Sequence, residues 1–330
     1  MKLSLSKKAI LALTVILFPI LITFITGYRT NRELLTRLFL DDLTLIAEAM
    51  EGQVYQFLEM GKRRTIDFTS DGLVVAELGK AKSGVWSPER LNSHLLSNKL
   101  PLDESINAIA IASAEGQVIS STEKSLMGVH FSGERFFRAG RQGIGMAERP
   151  RGVYGNPDIA IAAPVKGVGG ELLGVMITFT NLSELSNVLT GELNRKLGAL
   201  SALIHRKETF ESYLVNSDKL MLTSSRFLHD TIFRQKVDTA PVRTCLDTTQ
   251  EMTGFYTDYR GVEVAGASMC IPRLGWTLLV EIDAYEALMP VTAIGKYAAT
   301  TALVIAVLIA FLFLMFYKRI VLQLQSISRA

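Results

Sequence analysis

Cysteine and histidine are scarce in this sequence: two and four among 330 residues. Cys245 and Cys270 are 25 apart, a spacing that fits neither a CxxC redox motif nor a zinc ribbon. A disulfide and two buried thiols both remain open for them. His94, His130, His205 and His229 are scattered without ligand spacing, so no metal site is expected. Strong charge is missing too. The net value is +3, and no basic stripe with interleaved aromatics occurs, which argues against a nucleic-acid partner. Gly143-Ile144-Gly145 and Gly167-Val168-Gly169 do not complete a dinucleotide fingerprint, and no cofactor is expected. Gly266-Ala267-Ser268-Met269-Cys270 lacks the closing glycine of a hydrolase elbow and falls in a predicted strand.

Two stretches lack charge altogether. Ala9–Gly27 and Ala298–Tyr317 each match a helix that crosses a hydrocarbon core of roughly 30 Å. Lys2, Lys7 and Lys8 precede the first, and Lys318, Arg319 and Arg329 follow the second. The excess of cations at both ends predicts a two-pass inner-membrane protein with residues 28–297 outside the cytoplasm. Residues 1–8 and 318–330 are then cytoplasmic, and 9–27 and 298–317 are the spans. Arg29, Arg32 and Arg37 oppose this orientation, but long domains translocate largely regardless of charge. The alternative for the first run is a cleaved signal peptide. The run is longer than the usual h-region, and no Ala-x-Ala site follows it before Tyr28.

After the first span, Leu34, Leu35, Leu38, Leu45, Ile46, Ala49, Met50, Val54, Phe57 and Leu58 recur at mostly three- and four-residue spacing. No proline interrupts from Tyr28 to Asp71, which predicts a stalk helix over 28–70. Ser87-Pro88-Glu89 reads as a cap with proline at the first helical position, opening a short helix to about Leu96. The period then changes to two. Strands are predicted at 106–111 and 117–121, a glycine- and arginine-rich loop from Gly128 to Asn156, and strands at 159–165 and 172–180.

The second half repeats this ending, with strands at 262–269 and 276–282 around a Pro272–Gly275 turn. Asn181-Leu182-Ser183-Glu184 follows the first hairpin and Asp283-Ala284-Tyr285-Glu286 the second, both with capping-box spacing. A repeated hairpin–cap–helix unit predicts an α+β fold of two tandem domains, 71–182 and 183–290. The helix after the second hairpin runs on into the second span.

At this point the chain resembles the double Cache sensors, built as a stalk helix and two tandem PAS-like units between two membrane spans. The likeness is carried by Glu211-Ser212-Tyr213-Leu214-Val215-Asn216, Leu222-Thr223-Ser224-Ser225-Arg226-Phe227, Tyr256-Thr257-Asp258-Tyr259-Arg260-Gly261 and Leu274 to Asp283. Arg135-Phe136-Phe137, Ala163-Pro164-Val165 and Gly174-Val175 carry it in the distal half. It implies a homodimeric receptor whose distal pocket is lined by Arg135, Phe136 and Phe137, with the guanidinium on a ligand carboxylate. Tyr154 and Asp158 follow a Gly/Pro loop and join them as candidates. Tyr213, Tyr256, Tyr259 and Arg260 form a possible second site, against the plainer reading of aromatic strand residues filling a core.

The amino-acid-binding branch of this family carries a tryptophan in the pocket and a late aspartate. Here Trp86 stands too early and Asn181 ends the last strand, so the expected ligand is an organic acid or similar solute. Arg319 to Gln325 resembles the first turns of a HAMP linker, with Gln323 where that family usually has proline. These 330 residues contain no output module. The resemblance implies one beyond them: a histidine kinase first, a chemoreceptor or diguanylate cyclase otherwise. A membrane-tethered enzyme or scaffold is the rival of another class, but no nucleophile, base and orienter stand together.

Overall fold

The computed structural model describes residues 5–82, 86–190 and 207–327. Lys2, Arg329 and His205, which figure in the sequence reading, lie outside the described residues. Helix α1 spans Leu5–Thr69 without a break, so the first apolar run and the stalk are one helix of 65 residues, about 100 Å long. The last helix, α7 (Ala284–Ile327), likewise contains the whole second apolar run. Both helices are long and apolar enough to cross a membrane. The chain divides into two compact units, Met1–Asp42 with Asp283–Ala330, and Leu43–Ile282. In the first, Leu13, Leu17, Phe24, Ala302, Leu303 and Ala306 line an apolar groove of about 570 Å³.

The second unit holds two antiparallel sheets. α1 ends at a turn where Asp71 accepts from the backbone N–H groups of Leu73 and Val74, capping α2 (Gly72–Lys82). Ser87 has the extended backbone of an N-cap before α3 (Pro88–His94), but its hydroxyl bonds the Glu89 carboxylate and caps no backbone N–H. That helix stops at His94 and passes through a wide turn over Leu95–Lys99.

The distal sheet contains β1 (Ile106–Ala112), β2 (Val118–Ser121), β3 (Gly145–Arg149), β4 (Asp158–Lys166) and β5 (Leu172–Asn181), in the order β2-β1-β5-β4-β3. The predicted loop from Gly128 to Asn156 contains β3 and a helix, α4 (Arg135–Gly140). Neither reaches the length at which periodicity shows: α4 has six residues, and β3 is a five-residue edge strand mixing glycine, alanine and charge. After β5, Asn181 accepts from the Ser183 N–H and opens α5 (Leu182–Thr190).

Strand alternation sorts the distal sheet by size. Ile109 and Ile111 pack with Leu78, Leu91 and Leu95 of the flanking helices. On the same face, Thr65 of α1 shares a 2.7 Å hydroxyl–hydroxyl hydrogen bond with Thr178. The opposite face presents Ala108, Ala110, Ala112, Ala160 and Ala162, with Phe179 of β5 beside them, against Phe131, Phe136 and Phe137. Small floor residues leave this space to the aromatic side chains above them.

The proximal sheet is β6 (Glu211–Val215), β7 (Thr253–Thr257), β8 (Glu263–Ile271) and β9 (Trp276–Asp283), in the order β6-β9-β8-β7. One face is covered by α6 (Ala240–Thr248), and Val242 packs there with Tyr213, Val215, Tyr256, Val264 and Leu279. A disulfide joins Cys245 of α6 to Cys270 of β8, with Cα atoms 5.7 Å apart. β9 ends where α7 begins, so the repeat of hairpin followed by helix is present in both halves.

Candidate functional site

On the alanine face of the distal sheet, two charged residues stand opposite each other at the edge. Arg149 of β3 and Asp158 of β4 are cross-strand partners, with Nε 3.7 Å from Oδ1. The guanidinium lies over the rings of Phe179, 4.7 Å from the centroid, and Phe131, 5.6 Å. These are cation–π distances. Its Nη2 donates to the Arg151 carbonyl at 3.3 Å. Asp158 is fully buried, and its Oδ2 accepts from the Val153 N–H at 2.7 Å.

Two atoms are left over. Arg149 Nη1 and Asp158 Oδ1 are both buried and have no hydrogen-bond partner among the described residues. A buried donor and a buried acceptor left unmade cost about 1–3 kcal/mol each. Such a pair, on a face floored with alanine, leaves one donor and one acceptor unmatched in the same corner of the sheet. Burial pushes the Asp158 carboxyl up to about 6, against the opposing pull of Arg149 and the Val153 N–H.

The loop between β3 and β4 is bent tightly over this pair. A side chain at Gly152 would collide with the Asp158 carboxylate, so the glycine permits the close approach. Tyr154 sits in the left-handed region at φ 59°, which an L-tyrosine rarely adopts, and is 64% exposed. Its hydroxyl bonds Glu123. Backbone strain in a loop over a polar pair is the pattern of a binding segment.

The predicted pocket residues are therefore distributed unevenly. Phe136 and Phe137 are buried under the sheet face, with Phe136 edge-on to Phe131 at 5.4 Å. Arg135 precedes them on α4 and is exposed. Its charge reaches Glu148, the neighbour of Arg149 on β3. Alternation points Glu148 away from the alanine face, toward the proximal sheet. There it accepts from Trp276 Nε1 at 3.0 Å and from Asn216 Nδ2 at 3.2 Å. Burial raises its carboxyl above the usual range despite those two donors.

In the proximal unit the predicted tyrosines surround buried acids. Tyr213 and Tyr256 each donate to Glu281, at 2.9 Å, one to each oxygen. Tyr259 and Ser225 donate to Glu211, as does the Arg226 N–H. Arg260 bonds Asp258 at 2.5 Å and stacks on Phe227. Burial, followed by the nearby Glu281 charge, holds the Tyr213 and Tyr256 hydroxyls well above their ordinary range. Among the described residues no group of three or more His, Cys, Asp or Glu is arranged to hold a metal.

The sequence model of the Cache domain family (dCache_1) matches residues 24–291. The chain belongs to the double Cache family. Solved double Cache structures share its fold at low identity. The sensor domain of the Vibrio cholerae histidine kinase DctB is 13% identical with a TM-score of 0.56, covering 75% of this chain and 98% of that one. The ligand-binding domain of the Pseudomonas fluorescens chemoreceptor CtaA, solved with L-isoleucine, is 13% identical with a TM-score of 0.53, covering 79% and 98%. The sensory domain of the Campylobacter jejuni chemoreceptor Tlp3, solved with isoleucine, is 11% identical with a TM-score of 0.52, covering 78% and 97%. A search of curated proteins gives no match.

Within the double Cache fold, sequence reasoning missed Arg149, Glu148, Glu211 and Glu281 as site residues. All four lie inside strands. A charge within a strand that is otherwise apolar, as in Leu278-Leu279-Val280-Glu281-Ile282, is the signal that would have found the last.

Proposed function

We propose that this chain is the sensory region of a two-pass inner-membrane receptor that binds a small carboxylate-bearing solute in its distal Cache unit. The observation that carries the reading is that, among the described residues, Arg149 Nη1 and Asp158 Oδ1 lack hydrogen-bond partners on the alanine-floored face. The ligand carboxylate takes the Arg149 donor, and an amino or hydroxyl group on the same molecule takes the Asp158 oxygen. Phe131, Phe136, Phe137 and Phe179 enclose the apolar part, Tyr154 closes the loop, and Arg135 draws the anion to the rim. L-Isoleucine in the related chemoreceptors supports an amino acid; the absent pocket tryptophan and late aspartate favour a hydroxy or dicarboxylic acid.

Binding re-aims Arg149, and its neighbour Glu148 carries the change to Trp276 at the start of β9, the strand that leads into α7. A HAMP-like linker over 318–330 then passes it to a cytoplasmic histidine kinase, or to a chemoreceptor or cyclase module. Exposed Leu45, Met60 and Ile66 along α1 support a homodimer paired through that helix.

The full chain in lipid nanodiscs, screened by thermal shift against L-amino acids, hydroxy acids and dicarboxylates, tests the reading. One class should raise the unfolding midpoint of the wild type and not of Arg149→Ala. A ligand that binds both equally refutes the site. A reporter fused after Ala330 should be active in the cytoplasm, and one inserted at Gly169 only outside it.

A further inference from the structure

Glu211 and Glu281 are directly opposed on the antiparallel pair β6 and β9, so their side chains leave the same face as cross-strand neighbours. Both are buried, at 3% and 1% exposure, and Asp258 is buried beside them at 5%. Like charges facing each other across a ladder destabilise it, and burial sharpens the penalty. A cation would relieve this, yet neither Glu211 nor Glu281 forms an ion pair among the described residues. The guanidinium of Arg260 is engaged by Asp258 through Nε. Arg226 turns its own guanidinium to the carbonyls of Phe210 and Lys207. α6 covers this face, but its charged residues, Arg243 and Asp247, are exposed.

What meets the acids is hydroxyl. Both Glu281 oxygens are bonded by tyrosines from β6 and β7, and Glu211 is bonded by Tyr259 and Ser225. The arrangement is built into the sheet: a side chain at Gly266 of β8 would occupy the place of the Tyr256 hydroxyl. Hydroxyls donate to a carboxylate and accept from a carboxylic acid, so the same partners serve Glu281 with or without a proton.

We propose that the proximal unit is a proton-binding site and gives the receptor a second input: one proton resides on Glu281 opposite Glu211, and its release sets two buried anions face to face across β6 and β9, the latter being the strand that leads into α7. Only the Glu281 O–H bond breaks, and the proton passes to bulk water. The ordinary carboxylate range is too acidic for such a site to work near neutrality. Here burial, assisted by the Asp258 and Glu211 charges and opposed by the two tyrosine hydroxyls, lifts Glu281 to about 8. The site is independent of any solute in the distal unit.

The test uses the full chain in nanodiscs and the proton alone as probe. Infrared difference spectra across pH should show one protonated-carboxyl band that disappears with a midpoint near pH 8. Glu281→Gln should remove the band, and Glu211→Gln should move its midpoint to lower pH by taking away the facing charge. If Glu281→Gln does not fold, Tyr256→Phe replaces it: losing a donor to the anion should move the midpoint up. In a Trp86→Phe background, Trp276 fluorescence should change with the same midpoint, and the change should vanish with the proton. A band with a midpoint near pH 8 that survives in Glu281→Gln, no band with a midpoint above that of Asp158 near pH 6, an unmoved midpoint in Tyr256→Phe, or fluorescence that ignores pH would overturn the proposal. None of these outcomes touches the Arg149 site.

Discussion

The alanine face of the distal sheet carries one guanidinium and one carboxylate, each with an atom that makes no hydrogen bond among the described residues. The corresponding region of the proximal sheet carries three buried carboxylates, and every oxygen of Glu211 and Glu281 is hydrogen-bonded. The distal face is floored with alanine, whereas the proximal one is filled by tyrosine. Two copies of one fold unit thus bury charge in opposite ways. An incomplete set of hydrogen bonds leaves a place for a solute. A complete set around an excess of acid leaves a place for nothing larger than a proton.

The sharpest way to break this contrast is to ask whether the distal aromatics are structure or surface. Phe136 is fully buried, so Phe136→Ala should destabilise the distal unit by about 3–5 kcal/mol, read from chemical denaturation. A loss under about 1 kcal/mol would mean that the ring lies against an open cavity. The proximal roof is stapled to its sheet by Cys245 and Cys270. Replacing both by serine should cost about 3 kcal/mol in the chain-entropy treatment of a loop of this size. Free-thiol counting on the unfolded, unreduced wild type should find none.

Arg149→Ala should weaken the solute found by screening roughly 10- to 150-fold, the worth of a charge-assisted bond of about 1.5–3 kcal/mol. Titration calorimetry reads this directly, and an unchanged affinity would move the solute site elsewhere. Arg135→Ala, at the exposed rim, should change affinity only a few-fold and lose that effect at high salt, where surface charges are screened.

The contrast also has a pH signature. Asp158 and Glu281 are raised by folding above their ordinary values of 3.8 and 4.5, to about 6 and about 8. Between each pair of values the folded chain holds a proton that the unfolded chain has released, so stability falls as pH rises. The contribution of each group is full below its ordinary value and is lost as pH passes its folded one. The unfolding midpoint should therefore decline in two stages, ending near pH 6 and pH 8. Asp158→Asn should flatten the first stage alone and Glu281→Gln the second alone.

Much of the fold was legible in the sequence. The hairpins β4–β5 and β8–β9 announce themselves because their turns are rich in glycine or proline and a capping Asn181 or Asp283 follows. The stalk was legible because its apolar residues keep helical spacing from Leu34 to Leu58, about seven turns, and no proline interrupts from Tyr28 to Asp71. α4 and β3 were not, being too short to show a period. The distal site escaped for a different reason. Asn107-Ala108-Ile109-Ala110-Ile111 and Ile159-Ala160-Ile161-Ala162 are apolar on both sides, so polarity says nothing about which face is which. Size does: isoleucine marks the side packed against α2 and α3, and alanine the side filled by phenylalanine rings. The roles of Arg149 and Glu148 rest on which way each faces, and adjacent residues of one short strand do not reveal that before its partner is known.

That partner relation has a consequence for how the gene can change. Arg149 lies opposite Asp158 and Glu148 opposite Ile159, so the two neighbours look to opposite sides of the sheet. Shifting β3 by one position would exchange them. The alanine face would then present an acid where it had presented a base, and Trp276 would face a guanidinium, which has no acceptor for its N–H. A single-codon insertion or deletion in the segment from Arg151 to Pro157 is therefore no neutral loop variation. It would remove the donor of the proposed carboxylate site and the Glu148 acceptor of Trp276 in the same event.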